Sequence, residues 1–296
     1  MSAIRTWVAG ARPRTLPAAL VPVAVGAAVA AGQDSAVSSA GAWGRTGLAL
    51  LVALALQVGV NFANDYSDGR RGTDGAGRVG PRRLVGSGLV APQRVKLAAV
   101  GAFAAAAAAG TALAALAGWR LLIVGALCLL AGWGYTGGPK PYGYLGFGEV
   151  FVFVFFGLVA TAGTSYVMLE RLDAFAVLCG VPVGLWAVAL LITNNLRDIE
   201  GDAAAGKITL AVRLGDRRSR WLYLGVIEAS YCVALLASIG GRAAAAAVLG
   251  APLAVAAVRR VLRGACGAEL IGVLATTARM QLVSGLAMAA GIALTA

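Results

Sequence analysis

The sequence contains no histidine. That excludes imidazole as a general base, a haem ligand or a zinc ligand. Cysteine is scarce: Cys128, Cys179, Cys232 and Cys266 are the only four, and no two share a CxxC spacing. They read as small apolar fillers, not as a metal or redox centre. Charge is scarce as well. Only 13% of the 296 residues are charged and 59% are hydrophobic, whereas soluble domains carry roughly 25% charged residues. Mean hydropathy is +0.81. A soluble protein this apolar would have nothing to present to water, so composition demands an all-α integral membrane protein. Net charge is +12, which in a soluble chain would point to nucleic acid. Here it records membrane topology and an anionic ligand, with no nucleic-acid partner.

Acidic residues number 13, and six of them fall in two short stretches. Asp65, Asp68 and Asp74 end one apolar run, in NFANDYSDGRRGTD; Asp198, Glu200 and Asp202 end another, in NNLRDIEGD. Acids at this depth in a membrane protein are costly, and the default reading is a functional site. Two facing carboxylate clusters make an oxygen-ligand cage for a hard divalent cation such as Mg²⁺. Asn61-x-x-x-Asp65 recurs as Asn194-x-x-x-Asp198, 133 residues later. A spacing of four places each Asn and its Asp on one helix face, as in an internal repeat with one cluster per half.

Apolar runs of spanning length, ~20 residues, are expected at about 15–33, 44–66, 95–117, 119–137, 147–169, 173–195, 220–240, 243–259 and 270–294, giving a bundle of about nine transmembrane helices in a single domain, 1–296. Residues 1–14, with Arg5, Arg12, Arg14 and Trp7, read as an interfacial segment, not a cleaved signal. With the N-terminus cytoplasmic, 20 basic residues fall inside and four outside, with Arg279 within the last span. That ratio places the N-terminus and both acidic clusters on the cytoplasmic side of the cell membrane and the C-terminus outside. The cytoplasmic cap loops are then about 67–94, 138–146 and 196–219.

Around the acids stand Arg78, Arg82, Arg83, Lys140, Arg197, Lys207 and Arg213. Guanidinium forks and ammonium groups suit phosphate oxygens. Acids, bases and an apolar bundle at one membrane face suit a lipid diphosphate, whose charge a metal and bases would neutralise as its C–O bond breaks. The loop from Tyr135 to Tyr144, YTGGPKPYGY, has glycines that permit positive φ or close backbone approach. Tyr135 and Lys140 are expected to face the same pocket. Gly206 to Gly215, GKITLAVRLG, lacks the Walker A spacing, so no nucleotide P-loop is present. Glu149 and Arg279 are read either as a buried pair or as pocket residues.

NDYSDGRRGTD with RVGPRRLVGSG, YTGGPKPYGYLGFGE, NNLRDIEGDAAAGKITLAVRLG and the opening ARPRTLPAALVPV together resemble the UbiA superfamily of membrane prenyltransferases. The likeness runs nearly end to end. It is greatest to the actinobacterial branch that prenylates 1,4-dihydroxy-2-naphthoate. The resemblance implies a nine-helix bundle with a central cavity under cytoplasmic loops. It also implies Mg²⁺-dependent transfer of a polyprenyl chain from polyprenyl diphosphate to 1,4-dihydroxy-2-naphthoate, with loss of CO₂, toward demethylmenaquinone. Asn64, Asp65 and Asp68 match its first aspartate motif, and Asp198 and Asp202 its second. Where many members carry a further acid this chain has Gly72, so Asp74 stands outside the pattern as a metal ligand.

On this reading Asp65, Asp68, Asp198, Asp202 and Asn64 hold the metal. Asn61, Asn64, Arg78, Arg82, Lys140, Asn194, Arg197 and Lys207 hold the diphosphate, and Tyr135 and Lys140 act beside it. The bilayer is the remaining partner. Two rivals are a superfamily member with another acceptor, such as 4-hydroxybenzoate, and a transporter, which would place polar groups halfway through several spans. A non-catalytic scaffold would not need both aspartate clusters.

Overall fold

Alanine, leucine and valine fill the long runs, and in a bilayer a helix satisfies every backbone polar group within its own segment. The computed structural model describes residues 2–33, 40–73, 80 and 82–295. Among the described residues every regular element is helical. Helix α1 (Ala3–Ala11) passes through the 3₁₀ turn Pro13–Thr15 into α2 (Pro17–Ala31). Then come α3 (Ala40–Arg71), α4 (Pro92–Ala117), α5 (Arg120–Gly134), α6 (Gly148–Leu169) and α7 (Ala174–Ala204). The chain closes with α8 (Leu210–Leu236), α9 (Ala244–Leu262) and α10 (Glu269–Leu294).

Local chemistry sets the ends. Pro92 opens α4, a position where a missing N–H costs nothing. The Asp173 carboxylate accepts from Ala176 N–H at 2.8 Å to cap α7, and the Thr209 hydroxyl accepts from Val212 N–H at 3.3 Å to cap α8. α3 packs along α4, α7 along α8, and α10 along α2 and α9. α6 contains a wide π turn at Phe153–Val159 and leans on α7. There a Cβ on Gly157 would lie 2.5 Å from Gly184 Cα, so only glycine permits the approach. Leu97, Leu130, Ile239 and Leu249 are exposed. Large apolar side chains turned outward at many positions are the surface of a protein solvated by lipid tails.

Six helices, α3, α4, α6, α7, α9 and α10, are long and apolar enough to cross a membrane, or seven if α1 and α2, bent by 51°, form one span. The expected nine runs are all helical, but three fall short of that test for identifiable reasons. α2 and α5 have 15 residues each, about 22 Å against a hydrocarbon core of ~30 Å. α8 carries Arg213, Asp216, Arg217, Arg218 and Arg220 in its first turns. In the other direction, α3 and α7 run to 32 and 31 residues. They continue beyond the expected ends at 66 and 195, so Asp65, Asp68, Asp198, Glu200 and Asp202 ride on helical turns. Only 205–209 separate α7 from α8. α1 occupies the segment read as interfacial. It turns Ile4 and Val8 outward and sets the Trp7 ring edge-on to Phe62 at 5.7 Å.

Candidate active site

A cavity of about 720 Å³ lies among α2 to α7 and α10. Its body is apolar, with Val23, Val52, Leu56, Phe155 and Leu190 in its wall. Its polar end gathers Arg12, Arg14, Arg82, Arg83 and Arg197, with Asn61, Asn64, Asn194 and Tyr135. Asp65 is the one acid among the described lining residues. Tyr142 stacks on Phe151 at 3.9 Å and lies 5.5 Å from the Tyr135 ring, making an aromatic wall.

The NxxxD spacing works as one helix face, but its members look to different neighbours. The Asn61 amide donates to Ala11 C=O at 2.9 Å and to the Thr15 hydroxyl at 3.1 Å, pinning the N-terminal segment to α3. Asp65 is fully buried, and its two carboxylate oxygens accept from Leu84 N–H and Val85 N–H, each at 2.9 Å. It therefore folds the arginine-bearing turn 82–88 back onto α3. Asn64 accepts from the Thr136 hydroxyl at 2.8 Å, and Arg71 donates to Thr136 C=O and Gly138 C=O at 2.6 Å. The loop after Tyr135 is thus tied to the same helix. Gly143 permits this fold, because its N–H reaches Tyr135 C=O at 3.0 Å where a Cβ would collide with that oxygen.

The two acidic clusters meet at Lys207. Its ammonium lies 3.6 Å from Asp68 and 3.5 Å from Asp202. Burial opposes its charge, but the two carboxylates outweigh burial and hold the lysine above its usual range. Its N–H donates to Asp202 C=O at 2.8 Å, which fixes the turn. Tyr144 donates its hydroxyl to Asp68 at 2.7 Å. Asp202 Oδ2 is buried and has no hydrogen-bond partner among the described residues. Arg197 bonds both Asp198 and Asn194, joining the ends of the second NxxxD.

These contacts sort the expected residues into those that meet and those that stand apart. Among the described residues no three acidic side chains converge to hold a metal by themselves. Asp65 is engaged with backbone amides and Asp198 with Arg197, which leaves Asp68 and Asp202 as the facing pair. Lys140 is exposed and does not line the cavity; Pro139 and Pro141 flank it and Gly138 adopts φ 77°, which turns the loop tip outward. Arg213 sits on the outer side, donating to Leu145 C=O at 3.2 Å. Glu149 and Arg279 do not pair: Glu149 is buried and accepts from Asn195 at 3.0 Å, while Arg279 is exposed. Arg78 and Asp74 lie outside the described residues. Of the cysteines, Cys179 is core and Cys128 lines the cavity, but Cys232 and Cys266 are exposed. Arg12, Arg14, Tyr142 and Tyr144 were not anticipated. The two arginines read as topogenic charge, and the tyrosines lay within a motif whose loop path was unknown.

The profile of the UbiA prenyltransferase family matches residues 19–294. The 1,4-dihydroxy-2-naphthoate octaprenyltransferase of Mycobacterium tuberculosis (strain H37Rv) is 48% identical over 99% of this chain and 98% of that one. The protein of the same name from Mycobacterium leprae is 46% identical over 99% and 98%. A UbiA homolog from Archaeoglobus fulgidus bound to DMAPP and Mg²⁺ superposes with a TM-score of 0.61 at 15% identity, covering 96% of this chain and 99% of that one. Helical architecture, the two aspartate motifs and the full-length match lead to one assignment: this chain belongs to the UbiA prenyltransferase family.

Proposed function

We propose that this membrane protein transfers a polyprenyl group from polyprenyl diphosphate to 1,4-dihydroxy-2-naphthoate, with loss of CO₂, to give the prenylated naphthoquinol, the reduced form of demethylmenaquinone. The observation that carries the reading is the polarity of the cavity. One end carries Arg82, Arg83 and Arg197 beside Asp65, and the body is apolar. Diphosphate and prenyl chain demand those opposite environments. The full-length likeness to naphthoate prenyltransferases supports the acceptor.

Arg82, Arg83 and Arg197 hold the diphosphate and stabilise the charge it gains as the C–O bond breaks. The bonding pair leaves with the diphosphate. The electron-rich ring then supplies a pair to C1 of the prenyl group. CO₂ departs from the substituted carbon and returns its bonding pair to the ring, so no side chain has to remove a proton there. That agrees with a site free of histidine. Tyr135 and Tyr142, their ring planes 59° apart, give the cavity aromatic faces suited to an acceptor ring.

The donor chemistry at Asp68 and Asp202 fits a hard cation, and the buried Asp202 Oδ2 awaits a partner. Mg²⁺ held there, with Lys207 moving aside, would neutralise diphosphate charge. Leu122 and Val124 of α5 line the cavity yet are 48% and 38% exposed, which supports entry of the lipid from the side. The nine helical runs cross the membrane, with the arginine-rich end of the cavity and the N-terminus cytoplasmic and the C-terminus outside. Turnover of purified protein with a polyprenyl diphosphate, Mg²⁺ and a panel of aromatic acids, read by mass spectrometry, tests the function. A prenylated, decarboxylated naphthoquinol is the expected product. Preference for 4-hydroxybenzoate would replace the acceptor, and no product with any acid would end the reading.

A further inference from the structure

We infer that the N-terminal hook, Arg12 to Thr15, is the recognition site for the carboxylate of the aromatic acceptor. This rests on the transfer reaction above and adds to it a site for the second substrate. The reaction brings two anions into one cavity, a diphosphate and an aromatic acid. Arg197 comes from the helix that carries Asp198 and Asp202, and Arg82 and Arg83 come from the turn that Asp65 holds. Arg12 and Arg14 come from the N-terminal segment, which Asn61 ties to α3. The first 33 residues contain no acid. A metal-bound diphosphate needs carboxylates beside it, whereas an aromatic carboxylate needs a guanidinium fork and an apolar floor. Ala18, Ala19 and Val23 of α2 continue the cavity wall directly from the hook and provide that floor.

Backbone geometry strengthens the assignment. Arg12 ends α1 with φ 53° and ψ 68°, in the left-handed region. Arg12 and Glu170 are the only non-glycine residues with positive φ among those described. A helix end of this kind is usually glycine, which adopts it without steric cost. An arginine there is strained, and strain of this sort gathers at functional sites. The hook is also held more firmly than a tail requires. Ala11 C=O and the Thr15 hydroxyl both accept from Asn61, and Thr15 also accepts from Gln57 at 3.0 Å. The Thr15 hydroxyl in turn donates to Arg12 C=O at 2.9 Å, and the Arg12 guanidinium donates to Asn61 C=O at 3.4 Å. Four side chains thus fix a short surface segment so that Arg12 and Arg14 face the cavity.

Arg12→Gly tests this without unfolding the hook, because glycine relieves the strain while removing the guanidinium. Binding of 1,4-dihydroxy-2-naphthoate and of its neutral carboxamide is measured by calorimetry on the detergent-purified protein, with a thermal melt of each variant. Wild type should bind the acid more tightly than the amide by about 10–100-fold, the scale of a charge-assisted hydrogen bond. Arg12→Gly should melt at or above wild type, bind acid and amide alike, and keep its affinity for the prenyl diphosphate within about twofold. Arg12→Lys retains charge without the fork and should fall between. Two results overturn the hook: a variant that still prefers the acid, or one that loses prenyl diphosphate affinity by the same factor. Wild-type turnover of the acid is scored separately, so transfer that persists while the hook fails leaves the parent reading intact.

Discussion

Replacing Lys207 by methionine keeps the stem and removes the ammonium between Asp68 and Asp202. At 3.5 and 3.6 Å, each attraction is about 5 kcal/mol at an effective dielectric near 20, before desolvation is counted. The lysine side chain is 11% exposed and the two carboxylates 5% and 6%, so little screening reaches them. Removing one partner from a buried charged group typically costs about 3–5 kcal/mol, because the others are left uncompensated. At about 2–4 °C per kcal/mol for a chain of this size, Lys207→Met should lower the melting temperature in detergent and chelator by about 6–20 °C. The folded protein holds this lysine above its free value of 10.5. Its contribution is therefore complete below that pH and is lost only as pH rises through the higher folded value. The gap between variant and wild type should stay flat from about pH 7 to 9. Mg²⁺ should restore part of the loss in the variant by giving the two carboxylates another cation. A variant that melts with wild type in chelator would refute the shared-counterion arrangement.

Asp65→Asn can accept from only one of the Leu84 and Val85 amides through its remaining carbonyl. Hydrogen exchange at 84–85 should accelerate by about 10–100-fold, the scale of one lost hydrogen bond to a charged group; unchanged exchange would detach the turn from Asp65. Lys140→Ala should leave kcat/KM within about twofold of wild type, as for an exposed substitution of under ~0.5 kcal/mol. A hundredfold loss would return that lysine to the site. In a cysteine-free background, cysteines at Ser87 and Thr295 report orientation in intact cells through an impermeant thiol reagent. Labelling at Thr295 and not at Ser87 is expected, and the reverse pattern would invert the topology.

Membrane class and helical architecture were readable because they follow from composition alone. The acidic clusters were readable because a carboxylate beside an apolar run has few structural excuses, and Asn64, Asp65, Tyr135, Arg82, Asn194 and Arg197 all line one cavity. Which lysine stands between the acids was not readable. Lys140 and Lys207 have equal claims by spacing, and the choice depends on a loop tip turned out at Gly138 and a backbone bond from Lys207 to Asp202. The role of Arg12 was hidden for a different reason: a basic residue near a cytoplasmic helix end already has an explanation in topology. Apolar length and helical length diverge, as the charged first turns of α8 and the 32 residues of α3 make plain.

The most direct test of the central claim is a single turnover with 1,4-dihydroxy-2-naphthoate labelled with ¹³C at its carboxyl group, together with a polyprenyl diphosphate and Mg²⁺. Protein in nanodiscs should release labelled CO₂ and inorganic diphosphate in equal amounts, each matching the unlabelled prenylated product. Diphosphate released without prenylated product, or a product that retains the label, would contradict it.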